Sequence, residues 1–280
     1  MILVTGATGT VGREVVRRIP SDLRFRVMCR NPEGIAGLRA QAEAVRGDYR
    51  DRPSLARALR GVSAAFLVTA EIGGDQDARF LRAARSAGVR HVVKLSAAAV
   101  EDPGAEDLIT RWQRGNEELL RGSGMDWTLL RPRSFMSNSL SWAATVRAER
   151  VVRGLCGASG NACVDPRDIA DVAVRALTGA GHAGRSYTLT GPEAITAAEQ
   201  TAQLAQVLGH PLRFEELDPE QARTALRGRY PHDLVEALLE SAQRQRAGAK
   251  AQVDGTVPAL LGRPAGSFRA WARDHLSAFV

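Results

Sequence analysis

The opening run Met1–Gly12, MILVTGATGTVG, constrains this chain more than any other stretch. Ile2, Leu3 and Val4 predict a short buried strand, and an apolar helical spacing through Val11, Val15, Val16 and Ile19 begins almost at once. Glycines stand at positions 6, 9 and 12 between the two. A strand that turns directly into a helix leaves the first helical N–H groups unpaired and pointing outward. Gly6, Gly9 and Gly12 remove the Cβ atoms that would keep a pyrophosphate off those donors, or the helix off the sheet. Thr5, Thr8 and Thr10 are expected to add hydroxyl donors. A dinucleotide site is therefore expected over Gly6, Thr8, Gly9, Thr10, Val11 and Gly12.

Strands and helices then alternate. Phe25–Cys29, Ala42–Arg46, Ala64–Val68, His91–Leu95 and Trp127–Leu130 read as strands, with helices predicted to about Arg60, over Asp75–Ala87 and over Glu106–Arg121. This pattern specifies an α/β chain: a Rossmann-type doubly wound parallel sheet joined by right-handed crossovers. Ligands of such sheets bind at the carboxyl ends of the strands. Arg30 closes the second strand, where an acidic residue would bind a ribose 2′-hydroxyl and repel a 2′-phosphate; arginine does the opposite, so NADP(H) is favoured, with NAD(H) the alternative. Asp48 and Tyr49, just past the third strand, are expected to bracket an adenine. Thr69 and Ala70 end the fourth strand where the cofactor passes.

Past residue 134 the alternation breaks. The expected division is a dinucleotide-binding core over 1–133 and a smaller, mixed C-terminal α/β lobe for substrate over 134–280, with segments able to return to the core sheet. A strand is predicted at Tyr187–Leu189 and helices at Asp168–Leu177, Thr196–Leu208, Pro219–Arg227, His232–Arg246 and Ser267–Phe279. Thr196 with Glu199 three residues on reads as a capping box. Asp165 and Asp168 read as helix caps and Asp171 as solvated.

A net charge of +7 raises the question of nucleic acid, but the basic residues are almost all arginines interleaved with acids along helices; only Lys94 and Lys250 are lysines. No zinc spacing or RNA-binding signature is present, and His182, His232 and His275 lack ligand spacing, so neither nucleic acid nor metal is expected. Cys29, Cys156 and Cys163 form no framework, which points to a reducing cytoplasm. The chain starts on the buried strand and has no run of membrane-span length, so neither leader nor membrane anchor is expected. The expected partner is a small molecule; a homo-oligomer is compatible with the chain.

TGATGTVG, Arg30-Asn31-Pro32, Gly47-Asp48, LSAAAV, W-Q-x-x-x-E over Trp112–Glu117, WTLLRPRSFMSN over Trp127–Asn138, VDPRDIADVA over Val164–Ala173 and YTLTGPEAIT over Tyr187–Thr196 resemble the NmrA-like group of atypical short-chain dehydrogenases. The resemblance covers essentially the whole chain. It implies that Lys94 and Ser96 stand near the reacting ring and that Pro132 and Phe135 wall the cofactor. The group holds quinone and dye reductases and also nucleotide-sensing regulators. None of Tyr49, Tyr187 and Tyr230 has a lysine four residues later, so the usual Tyr-x-x-x-Lys pair is absent. Gln113 stands where relatives often have histidine, and glutamine is neither acid nor base. Lys94, Ser96 and Gln113 are the catalytic candidates, with Arg133 a further donor to a developing oxyanion. Ala97, Trp112, Phe135, Met136 and Trp142 are the candidate substrate pocket. The expectation is an NAD(P)H-dependent oxidoreductase delivering hydride to a quinone or conjugated aromatic, aromatic polyketides included. A non-catalytic redox sensor is the alternative.

Overall fold

Leu3 and Val4 are fully buried, as a strand flanked by neighbours on both edges and helices on both faces must be. In the computed structural model, which describes residues 1–32 and 41–280, this strand lies in the interior of the sheet, third of its seven strands. The first half of the chain runs β1 (Ile2–Val4), α1 (Thr10–Arg18), β2 (Phe25–Cys29), β3 (Ala42–Arg46), α2 (Arg52–Leu59), β4 (Ala64–Leu67), α3 (Gln76–Ser86), β5 (His91–Leu95), α4 (Leu108–Arg121) and β6 (Asp126–Pro132). There follow α5 (Ala143–Glu149), β7 (Val151–Gly154), α6 (Pro166–Thr178), β8 (Arg185–Leu189), α7 (Ala197–Leu208), β9 (Arg213–Glu216), α8 (Pro219–Arg227), α9 (His232–Arg246), α10 (Thr256–Leu261) and α11 (Phe268–Asp274).

Seven strands form one sheet in the order β3-β2-β1-β4-β5-β6-β8. Ile2 of β1 pairs with Phe25 of β2 on one edge and Ala64 of β4 on the other, both in parallel. The order reverses at β1, so the crevice beyond the carboxyl ends of β1 and β4 is the place where such a sheet takes a ligand.

The chain divides into two compact units that do not follow a single cut at residue 133. The first comprises Met1–Ala97, Trp112–Arg131 and Pro166–Tyr187; the second comprises Ala98–Arg111, Pro132–Asp165 and Thr188–Val280. The return of Pro166–Tyr187 to the first unit has a simple cause. Helix α6 buries Ile169, Ala170, Val172 and Ala173, and α1 supplies the face that covers them. Arg18 Nε lies 2.8 Å from Asp171 Oδ1 across these helices, so Asp171 is an ion-pair partner rather than the solvated acid expected. Elsewhere in this unit Leu3, Leu59, Phe80, Val92, Leu120 and Leu129 share one apolar core.

The second unit has its own core, in which Val146, Val152, Leu204, Phe268, Trp271 and Phe279 pack together. A parallel pair, β7 and β9, crosses it with Val151 opposite Arg213. Helix α10 is only six residues long and contains Pro258, too little periodicity to predict a helix. The final helix is shorter than expected: α11 ends at Asp274 and a 3₁₀ turn over Leu276–Ala278 follows. Among the described residues no helix is long and apolar enough to cross a membrane.

The capping box at α7 forms as read, with Thr196 Oγ1 accepting from Glu199 N at 3.1 Å and Glu199 Oε2 accepting from Thr196 N at 2.7 Å. Thr196→Ala removes the first of these bonds. The unfolding free energy is expected to fall by about 1 kcal/mol, read as a lower urea midpoint at unchanged slope.

Candidate cofactor and active site

The turn between β1 and α1 depends on two close approaches. Gly6 has φ +63°, and a Cβ there would sit 2.9 Å from Val68 Cβ. A Cβ on Gly12 would fall 2.2 Å from the Gly6 carbonyl oxygen, so only hydrogen lets α1 start against the turn. Gly9 differs. Its missing Cβ would meet nothing nearer than the Gly6 oxygen at 3.3 Å, which leaves the outer face of the turn open to a ligand. Gly9 is the N-cap of α1, no side chain caps the helix, and no acid lies in its first turn. The first N–H groups of α1, Val11 among them, therefore present uncompensated positive charge, as a pyrophosphate requires. Thr8 and Thr10 are exposed, while the Val11 side chain is core. Thr5 is not an outward donor. Its Oγ1 donates to Phe66 O at 3.0 Å and accepts from Val68 N at 2.9 Å, tying β1 to the end of β4.

A groove of about 810 Å³ opens from this turn, lined among others by Gly6, Thr8, Gly9, Arg30, Asp48 and Ala70. Arg30 is exposed at its edge, and Asp48 Oδ1 accepts from Arg50 N at 2.8 Å. Tyr49 also lines the groove but is anchored in the core. Its hydroxyl donates to Val68 O at 2.7 Å, its ring meets Phe80 edge-on at 6.2 Å, and burial pushes its phenol well above the usual range. It is fixed in place rather than free to close over an adenine. Gln76, at the start of α3, was not foreseen; it lines the groove, accepts from Ala70 N at 3.3 Å and donates to Glu71 Oε2 at 3.0 Å. Its position just past the end of β4 was the available signal.

Beneath the groove lies a buried charge pair. Lys94 on β5 and Asp77 on α3 are both 0 % exposed, with Nζ 2.5 Å from Oδ1. The contact is electrostatic: the angles are poor, and neither atom has a hydrogen-bond partner among the described residues. Thr69 Oγ1 donates to the other Asp77 oxygen at 2.5 Å, so the Thr69 proton is committed inward. Trp112 sits 5.9 Å from the Lys94 ammonium and donates its indole N–H to Gly74 O at 3.1 Å. Lys94 is thus enclosed rather than presented to a reacting ring.

Ser96 is likewise held. Its hydroxyl donates to Glu117 Oε1 at 2.6 Å, and Arg131 grips the same carboxylate through Nε at 2.9 Å and a terminal nitrogen at 2.6 Å. With its proton on Glu117, Ser96 is a positioning residue and not an oxyanion donor. Gln113 Oε1 is buried without a partner among the described residues. Ala97 ends the stretch after β5 and is half-buried in the first unit. In the second unit Phe135 is half-buried and bridged to Val164, and Pro132 is buried. Met136 is 2 % exposed and belongs to the core, with Trp142 packed on it, which corrects their expected place as pocket walls.

A family model described as NAD(P)H-binding matches residues 6–180, more than half of the chain and the whole of the glycine turn and groove. The chain belongs to this NAD(P)H-binding family. It is an NAD(P)H-dependent reductase, and three comparisons agree. It is 58 % identical over 280 residues, covering all of this chain and 99 % of the relative, to a (4-alkanoyl-5-oxo-2,5-dihydrofuran-3-yl)methyl phosphate reductase of Streptomyces griseus. It is 37 % identical over 284 residues to an NAD(P)H azoreductase of Xenophilus azovorans, covering all of this chain and 99 % of the relative. An NADPH-dependent quinone oxidoreductase of Escherichia coli, solved with NADPH, superposes with a TM-score of 0.86 at 28 % identity, over 99 % of this chain and 100 % of that one.

Because Asp77 is the one carboxylate paired with Lys94 among the described residues, Asp77→Asn leaves a buried ammonium uncompensated. The reductase is expected to lose about 3–5 kcal/mol of stability, and Asp77→Asn combined with Lys94→Met is expected to recover most of it, both read by urea unfolding.

Proposed function

We propose that this reductase delivers hydride from NADPH to an electron-poor, carbonyl-conjugated double bond, with an alkanoyl-furanone methyl phosphate its leading substrate and quinones its second class. The observation that carries the reading is the state of Lys94. It is the one lysine of the nucleotide-binding unit, it is enclosed against Asp77, and no tyrosine is paired with it. Of the tyrosines, Tyr49 is bonded to Val68 O, Tyr187 to His182 Nδ1 at 2.8 Å, and Tyr230 is exposed in the second unit. Among the described residues, none of the three tyrosines nor Lys94 is arranged to hand a proton to an alkoxide as it forms. The acceptor must therefore spread its own negative charge.

An acyl furanone does so. Hydride adds at the ring carbon β to both carbonyls, the C=C electron pair moves onto the α-carbon, and the resulting enolate is shared between lactone and ketone until water protonates it. A quinone, including the aromatic polyketide quinones, meets the same requirement by forming a phenolate. When bound, the reduced nicotinamide supplies the hydride. The chain's share is to hold and orient: the α1 amino end and the Gly6–Gly9 turn for the pyrophosphate, Arg30 for the 2′-phosphate, and the groove at Asp48 and Ala70 for the nucleoside. The 58 % identity over full length to the furanone phosphate reductase ranks that substrate first. The three free cysteines, two of them buried, suit a reducing cytoplasm.

Loss of 340 nm absorbance from NADPH is expected with the furanone phosphate and, more slowly, with simple quinones. No rate above background with any of them overturns the reading. Arg30→Asp is expected to raise the KM for NADPH by about tenfold or more, from the loss of a charge-assisted contact, while lowering that for NADH, whose 2′-hydroxyl an aspartate accepts from.

A further inference from the structure

Helices α2 and α3 pack side by side in the first unit, and residues of both line a second groove of about 820 Å³. Helical spacing explains what it presents. Arg52, Leu55 and Ala56 share one face of α2, and Arg79, Arg82, Ala83 and Ser86 share one face of α3. Leu55 is 1 % exposed and belongs to the apolar core on which Ala83 and Ala87 pack, so the floor of the groove is apolar. Its walls are cationic. Arg50, Arg52, Arg60, Arg79, Arg82 and Arg85 line it against a single carboxylate, Asp75.

The acids of this region are already engaged. Both Asp75 oxygens accept from Arg79 Nε, at 2.7 and 2.8 Å. Glu71 Oε1 lies 2.6 Å from a terminal nitrogen of Arg50. Asp48 Oδ1 accepts from Arg50 N at 2.8 Å, and Asp51 caps α2 by accepting from Ser54 N. Arg52, Arg60, Arg82 and Arg85 are exposed and have no ion-pair partner among the described residues. Arginines scattered over helix surfaces are satisfied by water; four that converge on one concave groove with an apolar floor are a binding surface for anions.

We propose that this groove binds an organic oligophosphate, a ligand with two or more phosphate groups on an apolar body, and that it does so in opposition to the dinucleotide. Guanidinium forks match phosphate oxygens in pairs, and the volume is that of a small-molecule pocket. The opposition comes from Arg50. It lines this groove and the cofactor groove alike, while its partner Glu71 lines the cofactor groove, held there also by Gln76 Nε2 at 3.0 Å. A phosphate that draws Arg50 away leaves the Glu71 carboxylate with the Gln76 amide alone. A phosphorylated dinucleotide then meets a bare negative charge, and by linkage the dinucleotide weakens the oligophosphate equally.

NADPH affinity is read from the change in its own fluorescence on binding, which needs no turnover; UTP and inorganic tripolyphosphate are the probes. UTP is expected to raise the apparent Kd for NADPH to a plateau about fivefold or more above its starting value. A ligand at a second site weakens the first by a finite factor, whereas a competitor within the cofactor groove does so without limit. In Arg82→Ser combined with Arg85→Ser, the UTP concentration giving half of the effect is expected to rise by about tenfold or more, with NADPH affinity in the absence of UTP unchanged. Glu71→Gln is expected to abolish the rise. An apparent Kd that climbs without limit or does not move overturns the proposal, and so does a half-effect concentration unaltered in the double variant. A rise that survives Glu71→Gln overturns the route through Arg50. Tripolyphosphate acting at lower concentration than UTP marks a seat for inorganic polyphosphate and overturns the organic occupant.

Discussion

A helix can begin directly on the end of a central strand only where position 12 carries nothing larger than hydrogen. The 2.2 Å gap between the Gly6 oxygen and the place a Gly12 Cβ would occupy is the tightest constraint on the nucleotide-binding unit. The approach of α1 to the turn follows from it, and so does the direction of its uncapped amino end. With Gly9 as N-cap, no side-chain cap and no acid in the first turn, that end is left uncompensated among the described residues. The fold leaves a positive pole at the switch point of the sheet, of the kind that phosphorylated ligands neutralise.

The inner chemistry follows a different logic. Lys94 and Asp77, at 0 % exposure, make a charge pair whose geometry satisfies Coulomb attraction but not hydrogen bonding. Thr69, Trp112 and Tyr49 enclose or adjoin it, each with its polar atom bonded inward. A site built this way has rigid walls and few mobile protons.

Much of the fold was legible because parallel strands buried on both faces must read as apolar runs, and β1, β2, β4 and β5 do. Arg30 and the glycines were legible because their roles depend on local backbone position. What could not be read was set by partners distant in sequence. Lys94 sits where a catalytic group would, at the end of β5, and only the arrival of Asp77 from α3 shows it to be enclosed. Met136 has the residue type of a pocket wall and the neighbours of a core. The return of α6 to α1 depends on a face 150 residues upstream.

The carboxylate of Glu117, 2 % exposed, is shared by Ser96, Arg131 and, at 3.3 Å, Arg121. Ser96 and Arg131 come from different stretches of chain, and neither is replaceable alone without leaving charge or lone pairs of Glu117 unmatched in a dry interior, whereas Arg121 is 40 % exposed. Drift at Ser96, Glu117 and Arg131 is therefore coupled. Sequences descended from this one should vary there in concert or hardly at all, while the arginine-rich helix surfaces around them change freely.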